Sequence, residues 1–214
     1  SKSRYEKECI LRHDVDFSLE KAYEMADLES KIGGIKSTFF ILISSNFYNV
    51  FSKKNQDLIN KIASMGHEIG LHFDESKYNI SNYETLRNSI YEEINLFEQM
   101  VRIPIKTVSF HRPSKLMFKY DLSKEKFISA YSNKYFHDFK YISDSRMKWH
   151  EDIIGLIDKK IKKIQLLTHP IWYHNDSKNF YGILNDFLKR KYYESRDEVN
   201  ANLKDIQKDM LNEI

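Results

Sequence analysis

Short apolar runs that each end in an aspartate or a histidine constrain this chain more than any other feature. Cys9-Ile10-Leu11 leads into His13-Asp14-Val15-Asp16, Ile69-Gly70-Leu71 into His72, Ile105 to Phe110 into His111, and Leu166-Leu167-Thr168 into His169. Ser37 to Ile43 is a continuous apolar run, as expected of a strand buried on both faces. Helical patterns separate these runs. Ser18 caps a helix with Ala22, Met25, Ala26 and Ile32 inward, stopped by Gly33-Gly34. Asn55 to Met65 turns Leu58, Ile59 and Ile62 inward and ends at Gly66. Ser81-Asn82-Tyr83-Glu84 is a capping-box pattern opening a helix to about Arg102. Weaker strands are expected near Phe127–Tyr131 and Phe139–Ile142, a helix over Glu151–Lys163, and a last strand from Ile164 to Thr168.

Alternation of strand and helix argues for a parallel sheet. About seven strands in 214 residues fit an incomplete, distorted (β/α) barrel better than an open sheet. The expected organisation is one α/β domain over 1–214, with a charged helical extension from about 176. Barrels of this kind work at the C-terminal ends of their strands. Asp14, Asp16, His72, His111 and His169 all fall at such ends. His13 has the opposite parity to Asp14 and is expected to face the barrel exterior.

Composition removes several alternatives. With 34 basic against 31 acidic residues the charge is too balanced to imply a nucleic-acid partner. The lone Cys9 excludes an internal disulfide and a cysteine-rich zinc site, and its place in an apolar run suggests burial. No run approaches the roughly 18 apolar residues of a membrane helix. No apolar signal region follows Ser1-Lys2-Ser3-Arg4, which gives a cytoplasmic location as the expectation.

If β structure continues through Asp16, both carboxylates of Asp14-Val15-Asp16 leave one face. Two like charges that close raise each other's proton affinity unless a cation sits between them. Paired acids with histidines at neighbouring strand ends therefore suggest a metal, a proton-transfer site, or both.

Arg12-His13-Asp14-Val15-Asp16, Ser37-Thr38-Phe39-Phe40, Gly66-His67-Glu68-Ile69-Gly70-Leu71-His72, Phe110-His111-Arg112-Pro113, Asp144 with Trp149, and Leu167-Thr168-His169-Pro170 stand in an order that resembles the NodB-type polysaccharide deacetylases of carbohydrate esterase family four. The resemblance covers about residues 9–174. It implies a distorted seven-stranded (β/α) barrel and a hydrolase that uses one divalent metal, of zinc type, to remove acetyl groups from N-acetylated sugars. By motif, Asp14 is similar to the general base, Asp16 and His72 to metal ligands, and His169 to the general acid. Arg112 or His111 takes the place of the arginine that holds the base. Trp149, with Trp172 nearby, is similar to the substrate wall, and Asp144 to the residue that positions the late-motif region on the substrate side. His67 reads as structural. The expected partner is an N-acylated sugar or glycan of a cell surface, or its precursor.

One departure stands out. The family's second metal histidine would fall at Ser76, and serine is a poor zinc ligand. His111, Asp74 and Glu75 are the replacements within reach, and His111 is preferred because it keeps the ligand chemistry. Two rival functions remain: hydrolysis of another non-peptide C–N bond on the same fold, and a carbohydrate-binding protein without catalysis, which Ser76 would favour.

Overall fold

The structure is a computed structural model and describes residues 7–158 and 161–203. Those residues fall into two compact units, parting between Tyr173 and His174.

The first unit holds seven strands: β1 (Glu8–Val15), β2 (Thr38–Ile41), β3 (Glu68–Phe73), β4 (Thr107–Phe110), β5 (Ile128–Ser129), β6 (Lys140–Ser143) and β7 (Lys163–Thr168). Every pairing is parallel, in the order β5-β4-β3-β2-β1-β7-β6. The sheet curls into a distorted half-barrel. Its two edges approach across the interior: the Arg12 guanidinium of β1 lies 5.0 Å from the Tyr131 ring just beyond β5 and 5.8 Å from the Tyr141 ring of β6.

Register assigns the faces. Arg12 pairs with Thr38, Asp14 with Phe40, Phe40 with Gly70, His72 with Ser109, and Arg12 with Leu167. Residues paired across parallel strands share a face, so the inner face is largely polar. The outer face presents Phe39, Ile41, Ile69, Leu71, Phe73, Val108 and Phe110, all buried. Helices α1 (Leu19–Gly33), α2 (Lys53–Ser64) and α3 (Tyr83–Val101) supply the matching apolar stripes, including Ala22 and Ala26, Ile59 and Ile62, and Leu86, Ile90 and Phe97. Apolar burial on the outside thus fixes the sheet and leaves the inside for chemistry.

Local signals account for the element ends. Ser18 Oγ accepts from Lys21 N–H at the start of α1, and Gly34 closes it at φ 66°. The capping box of α3 is made by Asn82 and Thr85, one residue later than the Ser81–Glu84 reading. Asn82 wins because its carboxamide oxygen accepts from the Thr85 N–H while the Thr85 hydroxyl returns to the Asn82 N–H.

Some expectations need correction. Ile32 is 66% exposed, because α1 turns that position away from the sheet in its last turn. Cys9 is exposed: β1 is buried only from Arg12 onward, after its first residues. The helix near 151 is short, α5 running Ile153–Asp158, and Lys163 already belongs to β7. A five-residue helix, α4 (Asn133–His137), lies between β5 and β6. In the second unit α6 runs Phe180–Asn202, capped by Asn179. No helix among the described residues is long and apolar enough to cross a membrane.

Candidate active site

Asp16 follows β1, His72 is the fifth residue of β3, and His111 follows β4, so three strand ends deliver these side chains to one place. His72 Nε2 lies 3.1 Å from Asp16 Oδ1, His111 Nδ1 lies 3.2 Å from the same oxygen, and the two ring nitrogens are 3.3 Å apart. Burial works to raise the Asp16 pKa, but the two histidines outweigh it and hold the carboxyl far below the usual range.

The geometry passes a test for a metal. Ligand atoms about 2.0–2.1 Å from a shared tetrahedral ion stand roughly 3.3–3.4 Å apart. The three donor–donor distances found are near that value. The two ring nitrogens can share one proton, and Asp16 Oδ1 is buried without an aligned hydrogen bond among the described residues. One cation would satisfy all three atoms.

Asp14 sits beside this triangle, 3% exposed, with Oδ2 3.7 Å from His72 Nε2. Its neighbours are Arg12 Nη2 at 3.5 Å and the Ser109 hydroxyl, which donates at 3.4 Å. His169 also stands beside it, Nε2 3.9 Å from Asp16 Oδ2. Asp144 accepts from the His169 backbone N–H and lies 2.6 Å from its Nδ1, which fixes the ring and leaves Nε2 toward the cluster. Burial works to lower the pKa of His169, but Asp144, Asp14 and Asp16 together raise it.

Other expected positions move. Arg112 does not hold Asp14: its Nη2 donates to Asp74 Oδ2 at 2.6 Å, and its side chain is 64% exposed. The chain turns after His111, so Arg112 leaves the barrel's inner face, and the arginine beside Asp14 is Arg12 instead. Asp144 positions the late motif, as the resemblance implies, by holding His169; it is buried and does so from behind the imidazole, not as part of a substrate wall. Asp74 pairs with Arg112 and Ser76, and Glu75 accepts from the Ser114 backbone N–H and hydroxyl. Both acids are therefore engaged away from the triangle. Trp149 is exposed in the loop that follows Asp144. Trp172 is tied to the site, its backbone N–H donating to His169 O. Its ring centroid lies 6.1 Å from that of Phe17, which stacks on Phe47 at 5.1 Å.

Sequence reasoning missed Arg12, Ser109, Phe17 and Phe47. Parity offered the first two: Arg12 shares the Asp14 face of β1, and Ser109 shares the His111 face of β4. Nothing in the sequence marked Phe47 as a neighbour of Phe17.

No known family profile matches the chain, and no curated protein matches its sequence. Solved structures do match its fold. A pseudoenzyme of the CE4 family from Bacillus anthracis aligns at 13% identity and TM-score 0.52, over 90% of this chain and 63% of that one. A mutant of it described as having restored enzymatic activity gives TM-score 0.53 at 13% identity, over 90% and 65%. A peptidoglycan N-acetylglucosamine deacetylase aligns at 17% identity and TM-score 0.51, over 89% and 85%. The chain thus spans somewhat under two thirds of the length of the two pseudoenzyme chains. These likenesses define a class: the fold is that of the CE4 polysaccharide deacetylases, at low sequence identity.

Proposed function

We propose that this chain is a metal-dependent amidohydrolase that removes an N-acetyl or other short N-acyl group from a sugar of a cell-surface glycan or its precursor. One observation carries the reading: on a fold shared with CE4 deacetylases, an Asp–His–His triangle of metal-ligand spacing has beside it a buried carboxylate, Asp14, and an oriented imidazole, His169.

Asp16, His72 and His111 would hold the ion. When bound, a divalent metal such as zinc supplies Lewis acidity to the acyl oxygen and makes nearby water more acidic. The remaining roles fall to the protein. Asp14 is placed to take a proton from an attacking water, oriented by the Ser109 hydroxyl and Arg12. An amine is a poor leaving group, and His169 Nε2 is placed to protonate it. Asp144 keeps that imidazole in one orientation and tautomer. Phe17, Phe47 and Trp172 form an aromatic group beside the site, suited to the apolar face of a pyranose.

The test is a panel of N-acetyl and N-formyl sugars, free, nucleotide-linked and polymeric, assayed for freed amine with zinc or cobalt present. Freed amine that disappears with Asp14→Asn supports the reading. Turnover of non-sugar amides alone would keep the hydrolase and remove the carbohydrate. The pseudoenzyme among the structural neighbours motivates a second reading, a non-catalytic carbohydrate-binding protein. Tight sugar binding by metal-loaded protein, with no amine freed from any panel member, would select it.

A further inference from the structure

The inner face of the sheet carries a second polar group, below the first. Arg12 lies two residues before Asp14 and is 1% exposed. Its Nη2 is engaged, 3.3 Å from the Tyr131 hydroxyl and 3.5 Å from Asp14 Oδ2. Its Nε and Nη1 are buried and have no hydrogen-bond partner among the described residues. Arg12 lines a cavity of about 240 Å³ together with Ile10, Phe40, Thr107, Ala130 and Gln165. Among the described residues Thr107 Oγ1 and Gln165 Oε1 are also buried without hydrogen-bond partners. The Gln165 amide nitrogen is already spent on the carbonyls of Ala130 and Tyr135, which leaves its oxygen waiting for a donor. Four unpartnered polar atoms on three strands thus share one cavity.

The cavity reaches the end of the sheet opposite the Asp16 cluster. Thr38, Glu68, Thr107 and Ile128 contribute to its wall, and each opens its strand. Glu68 and Ile128 are exposed, so the mouth lies among the N-terminal strand ends. Gly70 helps shape the interior: a Cβ there would stand 2.6 Å from the Phe40 ring and 2.6 Å from Thr107 Oγ1.

We propose that this cavity binds a small organic carboxylate. Asp14 already balances the Arg12 charge and three aromatic rings flank the guanidinium, but neither supplies an acceptor to Nε and Nη1, and a carboxylate is the strongest acceptor for two guanidinium N–H groups. Thr107 supplies one further hydroxyl donor. Ile10, Phe40 and Ala130 form apolar walls that suit a short hydrocarbon body and not a fully hydrated inorganic anion. The volume matches roughly eight waters at about 30 Å³ each, enough for an acid of a few carbons. Gln165 Oε1 accepts from a water carried in with it.

The test uses full-length protein treated with EDTA, so that carboxylates cannot bind through a metal at Asp16. Butyrate and benzoate are titrated by calorimetry and thermal shift, with butyramide and phosphate as controls. The expected result is saturable one-to-one binding of a carboxylate with Kd below about 1 mM, and at least tenfold weaker binding of butyramide and phosphate. Ala130→Leu, which adds bulk to the wall, and Thr107→Val, which removes a hydroxyl at constant shape, should each weaken butyrate at least fivefold. These changes leave Arg12 in place, so a misfolded Arg12 variant does not decide the matter. Equal binding of butyramide, undiminished binding to Ala130→Leu, or no saturable binding of either acid overturns the proposal. Equal binding of phosphate overturns the assignment to an organic acid.

Discussion

His72 and His13 are each 1% exposed, each on a strand of one sheet, and each beside a carboxylate. Their surroundings differ entirely. On the outer face, His13 Nδ1 meets the Thr168 hydroxyl at 2.6 Å and its Nε2 meets Glu29 Oε1 at 2.9 Å. Glu29 also accepts from the Ser37 hydroxyl, which in turn meets His67 Nδ1 at 3.0 Å, and His67 Nε2–H donates to Ala26 O. Each of these ring nitrogens has a partner. On the inner face, two imidazole nitrogens and a carboxylate oxygen converge within 3.3 Å of one another, and Asp16 Oδ1 and His72 Nδ1 are buried without a hydrogen-bond partner among the described residues. The outer group is a closed hydrogen-bond network that ties α1 to β1, β7 and the residues leading into β2 and β3; the inner group is a candidate ligand set. Burial alone does not separate these two histidines. The count of satisfied atoms does.

The largest expected effect lies on the inner face. Asp16→Ala, His72→Ala and His111→Ala should each lose bound metal and reduce turnover on the order of 10²-fold or more, while Asp74→Ala should retain the metal. Elemental analysis of protein purified without chelators reads this directly. Metal retained in His111→Ala but lost in Asp74→Ala would break the assignment of the triangle.

Asp14→Asn and His169→Ala should keep the metal and still lose turnover, on the order of 10²- to 10⁴-fold. His13→Ala, which changes only the outer face, should leave metal content unchanged. A near-normal rate for either inner variant removes that residue from proton transfer.

Stability should show the reverse ranking. Glu29→Ala and His67→Ala leave buried partners unsatisfied and should cost about 1–3 kcal/mol for each stranded group. His111→Ala in metal-free protein removes a side chain that is 20% exposed and should cost less. Urea midpoints would collapse the contrast if the two faces proved equally sensitive.

A smaller effect follows from pH. Burial works to lower the His67 pKa and outweighs the partners that would raise it, so the neutral ring is the stable form. Its contribution is present above the unfolded value of about 6.5 and is lost as pH falls below it. Burial works to raise the Glu29 pKa, but the hydrogen bond with His13 and the remaining partners outweigh it and lower the value. The Glu29 contribution is present above about 4.5 and is lost as pH falls through its depressed folded value. Stability should therefore decline on the acid side, and Glu29→Gln should flatten the lower part of that decline. An unchanged acid limb in Glu29→Gln would remove the carboxylate from the network.

The smallest effect is expected at Arg112. Its pair with Asp74 is exposed on the arginine side, so Arg112→Ala should cost no more than about 1 kcal/mol and change turnover only a few-fold. A loss comparable to Asp14→Asn would restore Arg112 as the partner of the base.

The strand–helix alternation and the placement of Asp14, Asp16, His72, His111 and His169 at strand ends were legible from the chain, because both follow from local periodicity. His13 on the outer face was legible by the same parity. Assigning partners was another matter. The sequence offered Arg112 beside a motif histidine, yet a turn after β4 sends it to Asp74, while Arg12, two residues before Asp14, reaches the base. Asp144 was legible as the residue that positions the late motif, but only the pairing of β6 with β7 shows that it does so by backing His169. The cavity below Arg12 was invisible, since Thr107, Ala130 and Gln165 come from distant parts of the chain. Periodicity is a property of neighbours along a backbone and so is written in the sequence. Which side chains share an interior is set by sheet register and curl, through contacts between residues more than a hundred positions apart, and that the tertiary structure alone decides.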